Sequence, residues 1–143
     1  MRALKEVFLF GCLMFGVLSL AILLVWGAAW TDATFQKSAT AGMKQAYQET
    51  RALSGQDVAA FDVVTEQLRI SDCAASTFWD MRVQGQVKSP GYASILFNDE
   101  VFDQARRGGE KAWKMCFKQS VAYLSLSSSP AQLDALRKLS EKI

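Results

Sequence analysis

Histidine is absent from this chain, and proline (2), cysteine (3) and net charge (+2) are scarce. Without an imidazole, the commonest general base near neutral pH is missing, together with Ser-His and Cys-His couples and the commonest zinc ligand. This argues against most familiar hydrolase mechanisms. An excess of one charge sign is missing too: 16 basic residues face 14 acidic ones. A nucleic-acid partner needs a clustered basic face, so none is expected. The chain also lacks Gly-x-Ser-x-Gly, Ser-x-x-Lys, Cys-x-x-Cys and a glycine-rich phosphate loop. A non-enzymatic protein is expected, with no catalytic residue, cofactor or metal assigned. The 143 residues fit one domain.

What the chain does have is an uneven distribution of apolar residues. From Val7 to Trp30 it reads VFLFGCLMFGVLSLAILLVWGAAW, without one charge. A helix needs roughly 20 apolar residues to cross about 30 Å of hydrocarbon, so this run is long enough to span a bilayer. Trp26 and Trp30, one turn apart, suit an aromatic belt at its far side. Arg2, Lys5 and the terminal amine precede the run, against Glu6 alone, whereas no basic residue follows it until Lys37. The positive-inside bias then predicts a cytoplasmic segment over 1–6, a transmembrane anchor over 7–30 and a periplasmic domain over 31–143. Two other readings compete. Gly27-Ala28-Ala29 offers a signal-cleavage site, although the apolar core exceeds the usual 7–15 residues. Leu9-Phe10-Gly11-Cys12 resembles a lipoprotein box, with a bulky Phe10; a small apolar residue in a membrane helix is the plainer reading of Cys12.

Beyond residue 31 the apolar spacing is helical. Phe35, Ala39, Met43, Ala46 or Tyr47 and Leu53 predict a helix over 33–53, continuing from the span, interrupted only by Gly42 and stopped at Ser54-Gly55. A second helix is expected from Gln56-Asp57 to Ile70 with Val58, Phe61, Val64 and Leu68 inward. A third starts after an N-cap at Ser71-Asp72 and ends near Gly85. Residues 86–98, with Ser89-Pro90-Gly91, read as a loop, with a short strand over Tyr92–Phe97 as the alternative. Asn98 caps the next helix, and Arg106-Arg107-Gly108-Gly109 is expected to break it. A helix over 111–126 carries Trp113, Cys116, Phe117, Val121 and Leu124, and the last starts at Ser129-Pro130, with Gln132 at the capping-box position and Leu133, Leu136 and Leu139 inward. The fold class is therefore all-α: an N-terminal transmembrane helix followed by a small, disulfide-braced helical domain.

The brace is Cys73 with Cys116, the only cysteines outside the apolar run, both placed by the topology where disulfides form. It would close a loop of about 42 residues, for which the chain-entropy model gives an upper value of roughly 4 kcal/mol. Buried thiols, a redox pair or a metal pair are the competing readings. Arg106, Arg107, Lys111, Lys114 and Lys118 form the densest basic region and are candidate partner-binding residues; a solvated face is the plain alternative. Asp99, Glu100 and Asp103 are explained by the helix dipole. Tyr92 and Phe97, in the loop, are the aromatics best placed for display to a partner.

In length, in the charged start MRALKE, in the apolar run and in a compact domain without catalytic motif, the chain is similar to the small inner-membrane entry-exclusion proteins of conjugative elements. The resemblance implies a recipient-side protein that refuses redundant DNA transfer by recognising a mating-pore component of the donor. It rests on layout, so it assigns no residue a role. The expected partners are the inner membrane and another envelope or conjugation-apparatus protein. An accessory subunit of a secretion or conjugation apparatus, or an envelope redox helper using Cys73 and Cys116, are the alternatives.

Overall fold

The computed structural model describes residues 2–55, 58–91, 99–124 and 130–143, with side chains described from Gly11 onward except at residues 60 and 130–132. Among them there are five helices and no strand: α1 (Arg2–Leu53), α2 (Val58–Gln67), α3 (Ile70–Val83), α4 (Asp99–Leu124) and α5 (Pro130–Lys142).

α1 is one continuous helix of 52 residues. At about 1.5 Å per residue it extends about 78 Å, more than twice the hydrocarbon thickness of a bilayer. Its first half is long and apolar enough to cross a membrane. The large apolar side chains there, from Leu13 to Trp26, lie exposed on all sides, as a span facing lipid requires. Thr31 is the first buried side chain along the described part of α1, and its hydroxyl donates to the Gly27 carbonyl at 2.6 Å. From there the helix is covered: Phe35, Ala39 and Ala46 are buried on the face expected from their spacing. Gly55, with φ 57°, closes α1 in the left-handed conformation that glycine adopts without steric penalty.

α2 and α3 meet at a tighter junction than the sequence suggests. α2 ends at Gln67, and Arg69 takes φ 48°, ψ 46° before α3 begins at Ile70. Ile70 therefore opens α3 instead of closing α2, because its side chain is required in the core, where it is 1 % exposed. The expected cap at Ser71-Asp72 is not used. Asp72 sits in the first turn and pairs with Arg69 at 2.6 Å. The α3 end near Gly85 is as expected. Gln86 N–H donates to the Met81 carbonyl at 2.9 Å and Gly85 N–H to the Arg82 carbonyl at 3.1 Å, with Gly85 at φ 73°, a Schellman closure.

The expected break at Arg106–Gly109 does not occur: α4 runs unbroken for 26 residues. Its glycines serve packing instead. A Cβ on Gly109 would overlap the Ala39 carbonyl oxygen, and one on Gly42 the Arg106 carbonyl oxygen. α1 and α4 thus touch backbone to backbone, with Ala39, Ala105 and Ala112 buried around the contact. This explains Gly42 as well, whose cost in helix propensity of about 1 kcal/mol is the condition of that approach. A Cβ on Gly108 would meet Val87 Cγ2 at 2.8 Å, so the residue after the α3 turn packs there too.

Two apolar clusters flank the crossing. One, nearer the apolar segment, gathers Phe35, Phe78, Met81 and Val87. The other, farther out, gathers Phe61, Ile70, Trp113, Phe117 and Leu136. Trp113 and Phe117 stack at 5.4 Å between ring centroids, and Phe61 tilts against Phe117 at 5.6 Å. Since α4 moves from the first cluster to the second as α1 does, the two helices run parallel, with α3 antiparallel to both. α5 begins at Pro130 and buries Leu136 and Leu139 against the outer cluster, with Leu133 half-buried. The expected start of the second helix at Gln56-Asp57, the caps at Asn98 and Ser129, and the side chain of Gln132 lie outside the described residues.

Candidate functional site

Cys73 and Cys116 form the expected disulfide, joining α3 to α4 with Cα atoms 6.0 Å apart across a sequence separation of 43. Cys116 is fully buried and Cys73 half-buried. The Thr77 hydroxyl, one turn beyond Cys73, lies 3.2 Å from Cys116 Sγ. Cys12 is unpaired and exposed on the apolar part of α1.

The basic residues of α4 divide between two roles. Arg106 turns toward α1: its Nη1 donates to Gln45 Oε1 at 2.9 Å, and its Nε and Nη2 donate to Asp103 Oδ1 at 3.2 and 2.7 Å. It belongs to the helix contact. Arg107 pairs with the other Asp103 oxygen at 3.1 Å. The Arg106 hydrogen bonds and both nearby guanidiniums hold the Asp103 carboxyl below its ordinary range. Asp99 and Glu100 occupy the first turn, where the dipole favours them. Arg107, Lys111, Lys114 and Lys118 do come together, lining an open cleft of about 330 Å³ with Glu110, Met115 and Ile143. Glu110 takes Lys114 at 2.8 Å, which reduces the cationic character of the cleft. Among the described residues no group of three or more Cys, Asp or Glu is placed to hold a metal ion. Tyr92 and Phe97 lie outside the described residues.

Two polar clusters escaped the sequence reading. In the first, Asp62 of α2 accepts from Tyr47 Oη at 2.9 Å and from Arg51 Nε and Nη2, both at 2.9 Å, tying α2 to α1. The Arg51 hydrogen bonds hold the Asp62 carboxyl below its ordinary value, whereas desolvation and then the same carboxylate push the Tyr47 phenol up. The second is Arg82, the lone cation of α3. Its Nη2 donates to Asp32 Oδ1 at 2.6 Å and its Nε to Ser89 Oγ at 2.9 Å. Its guanidinium also stands 5.2 Å from the ring centres of both Phe35 and Trp79. Its Nη1 is buried without an acceptor among the described residues. A lone cation in an otherwise apolar and acidic helix is a signal the sequence carries. Its partner, 50 positions away, is not.

What this arrangement offers is a braced helical surface on a long apolar helix, with cation and aromatic side chains fixed by neighbours. No protein-family model, curated protein or solved structure matches the chain.

Proposed function

We propose that this chain is a non-enzymatic interaction protein anchored in the bacterial inner membrane, with residues 1–6 cytoplasmic and the domain from residue 31 in the periplasm. One observation carries the reading: the apolar segment and the disulfide-braced domain share one uninterrupted helix. A disulfide suits an oxidising compartment, and Arg2 and Lys5 before the span favour a cytoplasmic start, so both point the domain outward. Such an anchor confines the domain to the membrane plane and raises its effective concentration toward membrane-bound partners.

Within that reading we infer entry exclusion as the process, by recognition of a conjugation-pore component. Size and layout support it. The test is a mating assay. Recipients expressing the chain should accept the cognate element far less often than controls, while donors lacking it transfer normally. Equal acceptance would refute exclusion. Loss of transfer from the deleted donor would favour an accessory role in the apparatus. A periplasm-dependent reporter fused after Ile143 tests the topology separately, since an inactive fusion refutes the outward domain.

A further inference from the structure

We propose that the end of α3 nearest the apolar segment rests on the headgroup layer of the bilayer that α1 crosses, with Trp79 and Val83 as its lipid contacts. This rests on the reading that residues 7–30 span a membrane. The carrying observation is one of height. Because α1 continues unbroken from the span into the domain, any group touching it stands at a known distance from Trp30. The Phe78 and Phe35 rings pair at 5.8 Å, and Arg82 reaches Asp32 at 2.6 Å, so α3 descends along α1 toward the span. At about 1.5 Å per residue, Trp79 lies about 7 Å beyond the level of Trp30 and Val83 about 1 Å beyond it. The polar layer on each side of the hydrocarbon is roughly 5–7.5 Å thick, so both residues fall within it. A helix tilt of about 20° moves a neighbour about 9 Å away by only about 3 Å, which leaves them near this layer.

Neither side chain is covered by the domain. Trp79 is 53 % exposed and Val83 72 % exposed, one turn apart on the same stripe of α3. A half-exposed indole is suited to an interface that is apolar on one side and wet on the other. Its ring is held in place by the Arg82 guanidinium, itself fixed by Asp32 and Ser89. Exposed Lys88, beside Ser89, adds a cation at this end for lipid phosphate. The contact gives the domain a second foothold besides α1, fixing which side of it faces away from the membrane.

The test uses the full chain in phosphatidylcholine–phosphatidylglycerol nanodiscs, in a Cys12→Ala background that leaves the disulfide intact. Bimane is placed through Leu20→Cys, Val83→Cys or Tyr123→Cys, all at exposed positions. Lipids carrying a nitroxide on the headgroup should remove most of the fluorescence at 83 and little at 123, at the far end of α4. Mid-chain nitroxides should quench the label at 20. Quenching at 20 with none at 83 beyond that at 123 overturns the proposal and leaves the anchor standing. Absence of quenching at 20 overturns the anchor reading, and this inference with it. A label at 83 shielded from aqueous iodide but untouched by nitroxide lipids means that protein covers this face, a second copy or another chain, and also overturns the proposal. Retained helical circular dichroism in each variant shows that the comparison is made on folded protein.

Discussion

Replacing Gly109 by Ala should destabilise the domain, although it improves helix propensity. In an open helix position the change stabilises by about 1 kcal/mol. Here the new Cβ would overlap the Ala39 carbonyl oxygen and lie 2.8 Å and 3.0 Å from the Ala39 carbonyl carbon and Cα, where ordinary contact begins at 3.4 Å. These are backbone atoms of a long helix, so no rotamer change relieves them. α1 and α4 must separate, loosening Phe35 and Ala112 on one side of the crossing and Trp113 on the other. Overpacking costs about 1–3 kcal/mol, and a clash with backbone belongs at the upper end. Subtracting the propensity gain leaves a net loss of about 2 kcal/mol. At about 4 °C per kcal/mol for a domain of this size, Tm should fall by about 8 °C. The assay is thermal and urea unfolding of the full chain in detergent micelles, followed by near-UV circular dichroism, which reports on buried Trp113 and not on the helicity of the span. Gly16→Ala, where nothing stands within 4 Å of the added Cβ, is the control and should leave the transition unchanged. A Tm for Gly109→Ala at or above the parent value would refute the close-contact account. So would rescue by Ala39→Gly, because that substitution leaves the clashing carbonyl in place.

Three further outcomes follow from other contacts. Cys73→Ser with Cys116→Ser should lower stability by about 2–4 kcal/mol, since the loop they close is no longer restricted in the unfolded chain; unchanged urea unfolding would contradict a structural disulfide. Asp62, whose carboxyl is held below its unfolded value by Arg51, contributes stability that is complete above the unfolded value near about 4 and is lost as pH falls through the folded one. Asp62→Asn should therefore flatten that part of the acid dependence in urea titrations, and an unaltered slope would count against the Arg51 pairing. Arg69→Gly should raise stability by up to about 1 kcal/mol, because φ 48° penalises a side chain that makes no cap hydrogen bond there; a lower unfolding midpoint would show that the exposed Asp72 pair outweighs the backbone.

Much of the fold was legible because its causes are local. The apolar run is recognised from composition, the helices from the spacing of Phe35, Ala39 and Ala46 or of Trp113, Phe117 and Val121, and the α1 and α3 ends from glycines that take positive φ. The cysteine pair followed from counting. The candidate surface was less legible. Arg106 and Lys111 look equivalent in sequence, yet one binds Gln45 across the α1 contact and Asp103 on its own helix, while the other lines an open cleft. Which role a cation takes depends on the neighbouring helix.

By itself, then, the sequence determined an apolar segment able to span a bilayer, an all-helical domain and its cysteine bridge, since periodicity, length and scarcity are properties of the chain alone. Tertiary structure decided what Gly42, Gly108 and Gly109 are for, turning an expected break into the site where α1, α3 and α4 close on one another. It also decided that Arg82 meets Asp32 beside the apolar segment. Close approach and long-range pairing are set by the distance between two elements, and no single stretch of residues encodes that distance.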